Sequence, residues 1–176
     1  MWATRQLLDG LVTVQSRSAC ATGGASFLSA APTSVNWPAA NRAYYQPVRL
    51  LAPILLTQLW GLNGTKVGTP NLDCGLYVAG EDGSMTRLVS TGSTAQDTST
   101  TIQAVDVSDF YVQTGLYYLA LVMDANSSAV FRNGYGTLGM QRATGAVQQD
   151  SAFPLPATAA PAAITTSYAP ICGFTS

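Results

Sequence analysis

Apolar and polar positions alternate most regularly between Leu72 and Arg132. Leu72, Cys74, Leu76 and Val78 alternate with Asp73, Gly75, Tyr77 and Ala79, which is the period of a β-strand with two unlike faces. Glu81-Asp82-Gly83-Ser84 interrupts the run and offers a glycine for positive φ, predicting a tight hairpin turn. Met85, Arg87 and Val89 then alternate with Thr86, Leu88 and Ser90 in a return strand, followed by a Gly/Ser/Thr loop over Gly92–Ser99. Next, Ile102 and Ala104 share one parity while Val105 and Val107 share the other, and a bulge near Ala104 would reconcile them. Leu116–Met123, LYYLALVM, is apolar on both faces and predicts a central strand. Asp124–Ser128 turns the chain, and Ala129–Arg132 predicts a short partner strand. Apolar runs recurring at roughly ten-residue spacing, with turn residues between them, predict an antiparallel sandwich or barrel.

The flanks are less regular. Val48–Gly61, VRLLAPILLTQLWG, is the longest apolar run, and Pro53 inside it argues against both a helix interior and a central strand. The expectation is one strand bent at Ala52-Pro53 and ending at Trp60. Asn36-Trp37-Pro38 and Pro47 mark irregular or edge structure, and Asn63-Gly64 and Gly68–Asn71 mark turns. At the N-terminus, Leu7, Leu8, Leu11, Val12 and Val14 form an apolar piece in which Gly10 and Val-Thr-Val favour a strand over residues 11–15. A loop over Ser16–Gly24 and a second extended piece over Ala25–Ala31 follow. This region has too few large apolar residues for its own core and too many to stay solvated. It reads as an arm that lies on a neighbouring surface, in its own chain or in another subunit. Beyond a glycine-punctuated loop at Asn133–Gly136, prolines at 154, 156, 161 and 170 predict extended structure, with an edge strand over Ile164–Tyr168.

The fold expectation is therefore all-β: an antiparallel, jelly-roll-like β-sandwich with an extended N-terminal arm and a Pro/Ala-rich C-terminal tail. Residues 1–35 form the arm and first strands, 36–140 the sandwich core, and 141–176 an extended segment packing on the sandwich or on a neighbour. Leu76, Val78, Leu116, Tyr118, Leu119 and Leu121 are the expected core.

Composition bears on the surface. A chain of 176 residues makes one domain that buries roughly 70% of its unfolded surface. Only 10% of residues are charged, against about 25% in a typical globular protein. Small and neutral polar residues must cover the outside, which suits either a protein set against other protein or a secreted β domain. Net charge is −1, and the seven arginines and Lys66 are scattered, which argues against binding nucleic acid through phosphate neutralisation. No apolar run reaches the ~18 residues of a membrane span. Asp9 interrupts the N-terminal apolar stretch, a poor signal peptide, so folding in a cytoplasm is expected.

Candidate chemistry is sparse. The chain has no histidine, the commonest general base and metal ligand. Cys20, Cys74 and Cys172 are odd in number and widely spaced, so buried free thiols are expected rather than a disulfide framework or zinc site. Asp106, Asp109 and Asp124 could meet at one end of the sandwich, but without a calcium-loop pattern they read as solvated turn carboxylates. Glu81 is the only glutamate and sits in a turn, which argues against a glycosidase carboxylate pair. No catalytic residue, metal site or cofactor is expected. Trp37, Tyr44, Tyr45, Trp60, Tyr77, Tyr111, Tyr117 and Tyr118 can serve a core, a subunit interface or a sugar-stacking platform. Trp2, a large aromatic near the terminus, reads as an anchor. The interface candidates are Trp2, Leu7, Leu8, Leu11, Trp37, Tyr44, Tyr45, Tyr135, Phe153 and Phe174.

In the style and order of their strands and turns, TRLVSTGSTAQ at Thr86–Gln96, IQAVDV at Ile102–Val107, GLYYLAL at Gly115–Leu121 and AVFR at Ala129–Arg132 resemble the β-sandwich module of tailed-bacteriophage virion proteins. The resemblance covers about residues 45–132. Such modules occur in capsid decoration or cement proteins, head fibres, and tail spikes or fibres. For a short chain with no fibrous segment, it implies a decoration protein made in the bacterial cytoplasm and carried on the virion's capsid surface. A homotrimer that clamps neighbouring major capsid protein subunits is what the resemblance implies, with neither nucleic acid nor membrane as partner. The alternative is a receptor- or glycan-binding module of a head fibre or tail spike, whose Tyr and Trp faces meet a host surface glycan. No catalytic residue is carried over.

Overall fold

The computed structural model describes residues 33–132 and 137–175. The chain forms β1 (Thr33–Asn36), β2 (Ala43–Leu50), β3 (Ile54–Leu62), β4 (Asn71–Ala79), β5 (Met85–Ser90), β6 (Thr94–Ala95) and β7 (Ile102–Val112). It continues through β8 (Gly115–Met123), β9 (Ala129–Arg132), a short helix α1 (Leu138–Ala143), β10 (Val147–Gln149), β11 (Thr158–Ala159), β12 (Ala162–Ala163) and β13 (Cys172–Thr175). An eight-stranded sheet runs β11-β5-β4-β8-β2-β10-β12, with β6 on the start of β4; a three-stranded sheet runs β13-β3-β7; and β1 pairs β9. Among the described residues the strand pairs run antiparallel, and the fold is the expected all-β sandwich. No described helix is long and apolar enough to cross a membrane.

Turn chemistry places the β4–β5 hairpin. Gly83 takes φ of 82°, Gly80 N–H donates to Ser84 O at 2.7 Å, and Asp82 Oδ1 accepts from the N–H and hydroxyl of Ser84 at 3.0 and 2.7 Å. Two expectations change in the other strands. The run around Pro53 is not one bent strand. β2 ends at Leu50 in the large sheet and β3 begins at Ile54 in the small one, because proline cannot continue a ladder and the chain changes sheets there. Pro47 is tolerated within β2 because its outer neighbour β10 reaches only Ala43–Tyr45. The irregularity in β7 is not at Ala104 either. Leu56 faces Phe110 and Gln58 faces Asp106, so Val107, Ser108 and Asp109 together oppose Thr57. Before that point the parity is clean, with Gln103 turned inward. Gln103 is buried and bonded, with Oε1 accepting from Asn63 Nδ2 and the Asp97 N–H and Nε2 donating to Ala95 O, each at 2.9 Å.

Two cores hold the layers together. Between the sheets, Leu56 and Leu59 of β3 and Phe174 of β13 meet Leu72, Cys74 and Leu76 of β4, Leu119 and Leu121 of β8, and Tyr44 and Val48 of β2. Trp37 stands edge-on to Tyr44 and to Tyr168, with ring centroids 5.3 and 5.2 Å apart, and its Nε1 donates to Arg42 O at 2.9 Å. The second core lies on the opposite face of the large sheet. There Ala43, Tyr45, Tyr77, Met85, Ala120 and Val122 are covered by Ala152, Leu155 and Ala159 of the proline-rich segment. β8 is apolar on both faces because both faces are buried. Of the expected core, Leu76, Leu119 and Leu121 are buried, and Val78 and Tyr118 are half-buried. Leu116 is exposed, since it sits on the second face at the end of β8 that this segment does not reach.

The covering segment is tied by polar groups as well. Asp73 is fully buried: Oδ2 accepts the Leu155 N–H at 3.0 Å and Oδ1 accepts the Thr91 hydroxyl at 3.2 Å. Arg87 donates to Leu155 O, and the Tyr77 hydroxyl donates to Pro156 O at 2.7 Å. Burial raises the Asp73 carboxyl above its ordinary value, and the hydrogen bonds from Leu155 and Thr91 offset part of that rise.

Candidate interaction surface

The chain's change of sheet at Pro53 leaves an apolar end. Leu50 is the last residue of β2 and turns inward, so its neighbour Leu51 turns outward and is 79% exposed. Beside it, the β7–β8 turn brings up Thr114, Gly115 and Leu116, the last 47% exposed. The Tyr117 hydroxyl closes this turn by donating to Gln113 O at 3.0 Å. A Cβ at Gly115 would stand 3.3 Å from Tyr117 Cε2, so the ring would have to give by a few tenths of an ångström. Arg49, Leu50, Leu51, Thr114, Gly115 and Leu116 line an open recess of about 460 Å³. On the small-sheet side of the same end, Tyr111 is 71% exposed. Leu51, Leu116 and the Arg49 guanidinium thus share one recess at this end of the sandwich, while Tyr111 turns to the outer face of the small sheet. The other large exposed apolar residues among those described, Val67, Leu88 and Ile102, sit on other strands and loops, and single ones are ordinary on a protein surface.

Chemically, this end can exclude water against an apolar partner and offer one cationic, multi-donor group to an acceptor at its edge. It holds no acid–base pair. Elsewhere, Asp106 accepts from Gln58 Nε2 at 2.7 Å, and Asp124 accepts from the Asn71 N–H and Nδ2 at 2.8 and 2.7 Å. Asp106, Asp109 and Asp124 do not assemble: among the described residues no three His, Cys, Asp or Glu side chains form a metal-holding group. Cys74 and Cys172 are free and buried in the main core. The neighbouring Cys172 thiol, and burial after it, push the Cys74 thiol well above its ordinary value, so neither the position nor the ionisation favours a nucleophile.

The sequence-derived interface candidates fall elsewhere. Trp37, Tyr44 and Phe174 are in the main core and Tyr45 is in the second core, where it stands edge-on to Tyr77 at 5.2 Å. These four are corrected from surface to interior: parity turns Tyr44 and Phe174 into the main core and Tyr45 to the second face under the proline-rich segment, and Trp37, just past β1, packs on Tyr44 and Tyr168. Phe153 is half-buried against the second core. Trp2, Leu7, Leu8, Leu11 and Tyr135 lie outside the described residues. The residues of the apolar end were not singled out as a group. The signal was present in the pair Leu50-Leu51 just before Pro53, because two adjacent leucines on a strand cannot face the same side.

No family model, curated protein or solved structure matches this chain. The fold and the surface define an antiparallel β-sandwich with an apolar, arginine-edged end.

Proposed function

We propose that this chain is a structural protein of a bacteriophage particle, a decoration or cement protein that binds the outer surface of the head. In this reading a homotrimer bridges neighbouring major capsid protein subunits. The observation that carries the reading is the apolar recess formed by Leu51 and Leu116 beside Arg49. Covering exposed apolar surface stabilises a contact by about 25 cal/mol per Å². A low share of charged residues, 10%, keeps the desolvation cost of such contacts small. The virion setting is supported by the resemblance of the strand and turn order over about residues 45–132 to phage sandwich modules. The mechanism is mass action: a protein that binds the assembled shell but not its separated subunits stabilises the shell.

The test is copy number and location in purified particles, together with the heat stability of particles made without the protein. Many copies over the head, and heads that burst at lower temperature when it is lacking, are the expected outcome. A few copies at a fibre or tail tip, with adsorption lost and head stability unchanged, would instead assign the exposed Tyr111 ring to binding a host glycan.

A further inference from the structure

Cys74 and Cys172 meet in the main core, although they belong to different sheets. Cys74 lies on β4 of the large sheet, opposite Leu121 of β8. Cys172 lies on β13 of the small sheet, opposite Gly61 of β3. Both are buried. Gly61 is the reason they can meet. It turns to the main core, where a Cβ would stand 3.7 Å from Leu121 Cδ1, and it brings no side chain to hold the sheets apart. Stacked sheets ordinarily stand about 10 Å apart, but Cα atoms of β3 and β4 come within 8 Å of each other. Cys74 therefore reaches the β3 main chain, with Sγ 3.8 Å from Trp60 O. Cys172, beside Gly61 on the neighbouring strand, meets the Cys74 thiol there, side chain to side chain.

The two strands differ in how firmly they are held. β4 pairs with β8 on one side and with β5 and β6 on the other. β13 is a four-residue edge strand that pairs only with β3 among the described strands, and Cys172 is its first residue. Lifting β13 exposes one thiol of the pair while β4 stays in place. We propose that Cys74 and Cys172 are a latent cross-sheet disulfide, closed by a small-molecule disulfide of the oxidised glutathione class. With β13 lifted, Cys172 gives its proton to water and attacks one sulfur of the oxidant, expelling one thiolate. Cys74, losing its own proton to water, then attacks Cys172 Sγ and expels the second thiolate. Two protein thiols become one disulfide, the oxidant becomes two thiols, and the two released protons end on them. The bond staples β13 to β4 and closes a long loop of chain, which locks the small sheet on the large one. While β13 is seated, the Cys172 thiol and then burial keep Cys74 protonated, so the pair stays reduced until the strand opens. The proposal does not depend on a virion role.

The test uses the full chain with Cys20→Ser, so that only this pair can react. The protein is held with oxidised glutathione in urea below its unfolding transition, which favours local opening over global unfolding. Intact mass, free thiols counted after unfolding, and peptide mapping without reductant give the readout. Both thiols are expected to disappear together, with the mass falling by two hydrogens and one linked peptide pair joining Cys74 to Cys172. The thermal midpoint is expected to rise by several degrees and to return on reduction. Thiols that stay free, a glutathione adduct that persists on either cysteine, or a link between two chains overturns the proposal. Adding Cys172→Ala tests the order of attack: loss of the Cys74 thiol is expected to slow by about tenfold or more, because the thiol that opens first is gone. An unchanged rate overturns it. Should that variant fail to fold, a brief iodoacetamide pulse on the reduced Cys20→Ser protein reads the same order. Cys172 is expected to be labelled several-fold faster than Cys74, and equal or reversed rates overturn the proposal.

Discussion

At the scale of single residues, Asp73, Gly173 and Gln103 explain much of what the pattern of the sequence hid or revealed. Asp73 is polar on a strand face that reads as solvent, yet it is buried and bonded to Leu155 and Thr91. Its raised carboxyl value means the folded protein holds the proton more firmly than the unfolded chain does. The sign of the linkage follows: its contribution to stability is fullest below the unfolded value and declines as pH rises through the folded one. Comparing urea midpoints of the parent and Asp73→Asn between acid and neutral pH, the parent is expected to lose stability relative to the variant as pH rises. A constant difference would contradict this. Gly173 gives a second prediction. A methyl there meets the Trp60 ring, so Gly173→Ala is expected to cost about 1–3 kcal/mol by denaturant unfolding. Gln103 shows why parity reading failed near Ala104. An inward glutamine with its polar atoms bonded looks, in sequence, like a shift of face.

At the scale of elements, the central strands were legible, and the layer that buries their second face was not. The β4–β5 hairpin follows from its turn residues. The central position of β8 follows from apolar residues at every step. The layer that buries its second face could not be inferred from β8 itself. It comes from residues 152–159, where Pro154 and Pro156 preclude a helix and leave an extended strip that joins the sheet edge only at β11 and otherwise docks by side chains and by Asp73, Tyr77 and Arg87. The aromatics were misplaced for the same reason: a tyrosine fits a core or an interface equally well until the number of covering layers is known. This strip should behave as part of the fold. Leu155→Ala, at a fully buried site, is expected to cost about 2–5 kcal/mol and to expose residues 150–163 to limited proteolysis before the rest of the sandwich. Cleavage starting instead in the β4–β8 sheet would contradict the layered account.

At the scale of the whole molecule, the sandwich buries Trp37, Tyr44, Tyr45, Tyr77, Tyr168 and Phe174 inside two cores and leaves Leu51 and Leu116 exposed at one end. That end is made by the chain's passage between sheets at Pro53 and by the β7–β8 turn, neither of which the cores need as an exposed surface. Its residues are therefore open to change without loss of the fold. Leu51→Asp with Leu116→Asp is expected to leave the melt within about 0.5 kcal/mol of the parent, as surface substitutions do. The most direct measurement of the proposed attachment is cosedimentation of the parent and this double variant with isolated phage heads lacking the protein, and with dissociated major capsid protein. The account predicts that the parent saturates the heads, ignores the dissociated subunits, and loses head binding by about 100-fold or more in the double variant. Heads that bind neither protein, or bind both equally, would contradict it.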